Sequence, residues 1–230
     1  MAIVVMEGDS WECLPNFGVK SLPIVGGGNC DMERALTDIG HEVKNLAYWG
    51  DTIREIADRL EFIPVLKATK AKHFLLGGGG NDLLQNGNLQ KLLELYEPGK
   101  PATKYLKPEF KVELARVISN YEMCLSALKV HNLSKTKVIV HGYDYAEPGE
   151  LQWLGEPFAY MGIDDDALRR AIVKKLIDSF NTELRRFAKR YPNVTYVNLR
   201  NTVKDRWHDE LHPTAEAFAD IAKKIDRAIG

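Results

Sequence analysis

Cysteine is scarce in this sequence, and the three present, Cys13, Cys30 and Cys124, are odd in number and lack the spacing of a metal or redox motif. That argues against a disulfide framework and favours thiols in a reducing compartment. Net charge is nearly absent too: 31 Lys and Arg stand against 32 Asp and Glu, leaving a formal charge of -1. With no basic run interleaved with aromatics, nothing recommends nucleic acid or an anionic membrane surface as a partner. Long apolar runs are missing. The opening "MAIVVMEGDS" has no basic leader and its apolar stretch meets Glu7 and Asp9, so it reads neither as a signal peptide nor as a spanning helix. The expectation is cytoplasmic residence without integral membrane association, with leaderless export as the alternative. Repeats, low-complexity tracts and linkers are also missing, so the 230 residues are expected to form one domain, 1–230.

What is present is an alternation of short β-branched runs with longer amphipathic ones, the pattern of a parallel sheet covered by helices on both faces. Strands are expected at 2–6, 41–48, 72–77, 137–143 and 193–199. A helix at about 31–39 ends at Gly40, and Thr52 with Glu55 forms a capping box that starts a helix running to about Phe62. A helical excursion at about 83–136 separates the third and fourth strands, with a short helix near Leu89–Tyr96 and a longer one from Glu109 to about His131. A loop insertion at about 143–163 precedes a helix that starts at Asp164–Asp166, and the last helix begins near Thr214. The fold expected is α/β: a three-layer α/β/α, flavodoxin-like doubly wound sheet of about five parallel strands, with its ligand crevice at the carboxyl ends of the strands.

The polar and glycine-rich oddities fall at that edge. "GDS" (8–10) follows strand one, "GDT" (50–52) strand two and "GGGGND" (77–82) strand three, while "HDELH" (208–212) lies beyond strand five. Ser10 at the tip of a strand-to-helix turn can hold a nucleophilic hydroxyl clear of the sheet, although the tripeptide alone reads equally as a structural turn. A zinc pair would need His-Glu-x-x-His on one helix; here an Asp follows His208, and Pro213 turns His212 away from helical backbone angles. Asp209 and His212, three apart before that proline, can instead sit side by side as an acid and the imidazole it orients. The competing reading is a helix-preceding cap and an exposed turn histidine, and His208 reads as solvated. "GGGGND" lacks the Lys-Ser/Thr of a phosphate loop; its other use is an oxyanion hole, with Asn81 offering an amide donor and Gly50 a backbone N–H.

Together "GDS", "NLAYWGDT" (45–52), "GGND" (79–82) and "DELHP" (209–213) resemble, in order, the four sequence blocks of the SGNH or GDSL-type hydrolases. The resemblance implies the SGNH hydrolase fold, a serine ester hydrolase, and neither metal nor cofactor. It makes Ser10 the nucleophile and first oxyanion donor, Gly50 the second donor, Asn81 the third, and His212 the base oriented by Asp209. The family's substrates imply a small-molecule, glycan or lipid ester: a short acyl ester, an acetylated carbohydrate or a lysophospholipid-like molecule. Trp11 follows the serine where many members carry a smaller or aliphatic residue, and Glu7 stands where members are often apolar. Trp11, His141, Tyr143 and Tyr145 are candidate substrate contacts. They belong with Trp153, Phe158 and Tyr160 to a set of aromatics that either stack on a ligand or pack beneath their loop. The rival to an enzyme is a binding module that keeps the fold; a filled set of nucleophile, base and orienter favours hydrolysis, with a peptidase as a poorer third choice.

Overall fold

A computed structural model describes residues 1–13 and 31–230; Cys30 lies outside the described residues. Five strands, β1 (Ile3–Glu7), β2 (Glu42–Asn45), β3 (His73–Leu76), β4 (Lys137–His141) and β5 (Val194–Val197), form one sheet in the order β2-β1-β3-β4-β5. All four pairings are parallel, which is the flavodoxin-like order. β1 and β3 at the centre are mostly apolar on both faces, as a doubly covered parallel sheet requires, whereas edge strand β2 is polar at every position but Val43.

Helix α1 (Asp31–Ile39) packs against α9 (Ala215–Ile229), while α2 (Ile53–Arg59) packs on α6 (Pro108–Val130) and α6 on α8 (Asp166–Ala188). Both α8 and α9 also touch β4 and β5, so the two sets of helices cover opposite faces. The Thr52 and Glu55 capping box is formed as the sequence predicts. The helix it starts is shorter than expected: Leu60 takes a left-handed φ of 55° and a second helix, α3 (Phe62–Thr69), follows. Phe62 at that restart stacks on Phe74 of β3 with ring centroids 4.6 Å apart, so tertiary packing overrides a continuous helical pattern. No helix among the described residues is long and apolar enough to cross a membrane.

Two further helices lie where the sequence reads as loop. The glycine run after β3 leads into α4 (Gly80–Leu84), and the short helix expected near Leu89–Tyr96 follows as α5 (Asn88–Leu92). The aromatic segment after β4 contains α7 (Gly155–Tyr160), whose Phe158 is fully buried while Tyr160 is exposed. These elements frame the carboxyl edge of the sheet. A buried carboxylate fastens the chain beyond β5 to it: Asp144 accepts backbone N–H groups from Asn201 at 2.7 Å, Thr202 at 2.8 Å and Val203 at 2.7 Å.

Candidate active site

The turn after β1 holds Ser10 by hydrogen bonds inside the turn and beneath it. Asp9 Oδ1 accepts the Trp11 N–H at 2.9 Å, and Glu12 reaches back to accept the Asp9 N–H at 3.1 Å. The Glu12 carboxylate lies between the ends of β1 and β3, where a Cβ on Gly8 or on Gly77 would collide with it. Glycine at both positions is therefore a matter of space. Glu12 pairs with His141 Nε2, and His141 Nδ1 faces the Gly142 carbonyl at 3.0 Å, so the ring uses both nitrogens; both side chains are fully buried. Burial opposes charge on this imidazole, but the Glu12 carboxylate outweighs it and raises the His141 pKa. His141, expected as a substrate contact, instead lies beneath the site with no face open to a ligand.

Asp9 is buried as well; loss of water and the nearby Glu12 charge push it up to about 7, against the downward pull of Tyr143 and Trp11. Its Oδ2 takes the Tyr143 hydroxyl at 2.5 Å, and that hydroxyl accepts the Gly80 N–H at 3.0 Å. Tyr143 thus ties the serine turn to the start of α4, where the next residue is Asn81. Its ring is buried, edge-on to Trp11 at 5.1 Å. Tyr145 is set aside from this cluster: its hydroxyl donates to Asp178 at 2.9 Å and Lys174 lies over its ring.

The second and third blocks are stitched together. Asn81 Nδ2 donates to the Asp51 carbonyl at 2.9 Å, Gln85 donates to the Gly50 carbonyl, and Asp82 Oδ2 accepts the Ile53 N–H at 2.8 Å at the start of α2. Burial pushes Asp82 up to about 6. One N–H of the Asn81 amide remains for a ligand, and the backbone N–H groups of Ser10 and Gly50 have no hydrogen-bond partner among the described residues.

The fourth block is a hairpin, closed by the His208 N–H to the His212 carbonyl at 2.7 Å and a bridge between Trp207 and Pro213. His208 and His212 therefore share no helix face; His208 is exposed and His212 buried. His212 Nδ1 lies 2.7 Å from Asp209 Oδ2 and its Nε2 lies 3.0 Å from Ser10 Oγ, across 202 residues of sequence. Half-burial works upward on Asp209, but hydrogen bonds from the His212 ring and from the N–H groups of Leu211 and His212 hold its carboxyl below the ordinary range. Trp11 Nε1 donates to the Leu211 carbonyl at 3.1 Å, which links the serine turn directly to this hairpin.

Ser10, Trp11, Asn81 and Tyr143 line one cavity whose walls are otherwise mostly apolar, from Leu83, Leu154, Val173, Leu176, Ile177 and Phe180. Gly50, His141 and Tyr145 are not among its walls. Sequence reasoning missed Glu12 and Glu210 and left Trp153 as one aromatic among several. Trp153 stands edge-on to His212, centroids 5.6 Å apart at 89°.

A parallel sheet in this order, with a serine, a histidine and an aspartate joined at its carboxyl edge, defines a hydrolase of the three-layer α/β/α class. The model of the GDSL-like Lipase/Acylhydrolase family matches residues 18–219, and the chain belongs to that family and is a carboxylic ester hydrolase. The matched span includes Asn81, Asp209 and His212 and begins after Ser10. In fold the chain is similar to a catalytic mutant of an acetylxylan esterase from Geobacillus stearothermophilus, with 15% identity, a TM-score of 0.60, and coverage of 100% of this chain and 94% of that one. It is also similar to a candidate acylhydrolase from Bacteroides fragilis, at 16% identity and TM-score 0.59 over 99% and 86% of the two chains. A third likeness is to a candidate platelet activating factor from Streptococcus pneumonia, at 13% identity and TM-score 0.61 over 99% and 83%. No curated protein sequence matches the chain.

Proposed function

We propose that the protein hydrolyses a carboxylic ester through a Ser10 acyl-enzyme. The observation that carries this reading is the unbroken hydrogen-bonded chain from Ser10 Oγ through the His212 ring to Asp209. Ser10 attacks the ester carbonyl while His212 Nε2 takes its proton; Asp209 holds the Nδ1–H tautomer and stabilises the imidazolium that forms. The oxyanion is held by the N–H groups of Ser10 and Gly50 and by the second amide N–H of Asn81, donors that are already fixed before charge develops. His212 then protonates the departing alcohol, and a water activated by the same ring releases the acid.

Two recesses meeting at Leu84 suggest how such an ester is held. The apolar cavity beside Ser10 suits the acyl part. A second groove, with Gln85, Gln90, Gln152, Trp153, Glu156 and Tyr160, offers amides, a carboxylate and aromatic faces to an alcohol rich in hydroxyls. An acylated carbohydrate fits both, in line with the likeness to an acetylxylan esterase.

A fluorophosphonate probe should label the wild type and spare Ser10→Ala, and nitrophenyl ester turnover should fall by roughly 10⁴-fold or more in the folded variant. Unchanged turnover in Ser10→Ala overturns the assignment.

A further inference from the structure

Between Asp209 and Leu211, the side chain of Glu210 turns inward and is 3% exposed. Its Oε1 accepts backbone N–H groups from Gly149 at 2.8 Å, Leu151 at 3.0 Å and Gly155 at 2.9 Å, and its Oε2 accepts that of Leu154 at 3.0 Å. Four donors fill the acceptor capacity of a carboxylate, and each bond is strengthened by its charge. The segment 149–155 is therefore wrapped round one side chain of the hairpin that bears the base. Two of its members reach the site: Trp153 stands against the His212 ring, and Leu154, 2% exposed, is a wall of the cavity beside Ser10.

That cavity is small, about 50 Å³. A single water occupies about 10–15 Å³, so the space takes only a few beads the size of a water or a methylene. Its lining is mostly apolar, with the buried Leu83, Leu154, Val173 and Phe180 among it, and its polar members are Asp9, Ser10, Asn81, Tyr143 and Asp144.

We propose that Glu210 is a positioning residue that sets the base and the acyl slot together, and that through Leu154 it makes the enzyme selective for short unbranched acyl groups of about four to six carbons. This rests on the reading of Ser10 as the acyl-forming nucleophile. The two oxygens of Glu210 carry unequal loads, which gives the idea a sharp test. In Glu210→Gln the amide oxygen can keep the three-donor position while its NH₂ opposes the Leu154 N–H, so the wall loosens and most of the loop stays. Glu210→Ala frees the whole loop.

The experiment compares nitrophenyl acetate, butanoate, hexanoate and octanoate on wild type, Glu210→Gln and Glu210→Ala, with hydrogen exchange followed at the amides of Gly149, Leu151, Leu154 and Gly155. The wild type should favour butanoate or hexanoate and discriminate against octanoate. In Glu210→Gln the octanoate-to-butanoate ratio of kcat/KM should rise about tenfold, kcat for acetate should fall only a few-fold, and the Leu154 amide should lose protection first. In Glu210→Ala the profile should flatten and kcat for acetate should fall by about 10–100-fold as Trp153 leaves His212. Wild-type chain-length ratios in both variants overturn the proposal, whatever happens to Tm, because a purely structural role would lower Tm alone. If a Glu210 variant fails to fold, Leu154→Ala must show the same relaxed selectivity. If the wild type turns over no ester and takes no fluorophosphonate, the hydrolase reading fails by itself. Selectivity is then read from quenching of tryptophan fluorescence by butanoate and octanoate, and equal preference in wild type and Glu210→Gln overturns the Glu210 assignment.

Discussion

The two chain segments that meet at the site are fastened by different physics. On the serine side, the turn at 8–12 rests on Glu12, which accepts one backbone N–H and pairs with the ring of His141, whose pKa it raises. On the histidine side, the hairpin at 206–214 rests on Glu210, which accepts four backbone N–H groups and forms no ion pair among the described residues. Each glutamate is two residues from the group it supports, and each is buried. The difference lies in what each can reach. Under the serine turn the neighbours are strand ends, whose N–H groups are already in the sheet ladder, so the imidazole of His141 is what remains. Beside the hairpin the neighbour is an irregular loop with backbone donors to spare, and dipoles do the work of a counter-ion. A charge pair holds a point; a ring of dipoles holds a segment.

The largest effect that can break this pairing of regions is loss of the imidazole proposed to carry the proton between them. His212→Ala should lower kcat by roughly 10⁴–10⁶-fold on any nitrophenyl ester that the wild type accepts, with Tm little changed. Asp209→Asn should cost no more than that, on the order of 10⁴-fold, because in the proposed mechanism the acid orients and stabilises the ring without carrying the proton. An active His212→Ala enzyme would mean that the two segments meet for another purpose.

Much of this contact was readable in the sequence, for a reason that particular residues make plain. Ser10, Asn81, Asp209 and His212 stand just beyond strands or in a proline-ended turn, so placing five strands in a parallel order carries them to one edge. The supports were not readable. Glu210 takes its donors from residues up to 61 positions away, and in sequence it is one acid in a polar stretch. His141 reads as a strand-end residue open to ligand, and only the register of β4 beside β3, together with the side chain of Glu12, puts it underneath. Helix α7 was hidden by Gly155 and Pro157, which mark turns unless packing says otherwise; Phe158 is the packing that does.

Glu12→Gln tests whether charge is what distinguishes the serine side. Removing one partner of a buried pair should destabilise the fold by about 3–5 kcal/mol, seen in chemical denaturation. His141→Gln alone should cost a similar amount, and the double variant less than the sum, because both singles break the same pair. Additive losses, or a Glu12→Gln cost below about 1 kcal/mol, would place the two supports in one class.

The smallest effect sharpens the comparison from inside one strand. Glu7, five residues before Glu12, is buried at the end of β1, and its Oε1 has no hydrogen-bond partner among the described residues. Burial, with the nearby Asp51 charge adding to it and Arg59 opposing, pushes its pKa from 4.5 up to about 9. Where the Glu12 carboxyl group pairs with the His141 ring, Glu7 meets burial by keeping its proton, and a neutral acid stands where an apolar residue would serve. Its folded pKa is above its unfolded one, so its contribution to stability is fully present below about pH 4.5 and is lost as pH rises through about 9. Glu7→Gln removes that titration. The variant and the wild type should have similar Tm at pH 5, and the variant should be more stable by on the order of 5–10 °C at pH 9. Asp9 titrates in both proteins and cancels in the difference. A Tm difference that stays constant from pH 5 to pH 9 would mean that Glu7 carries its charge in the folded state, and the two buried glutamates of the serine side would then share one solution.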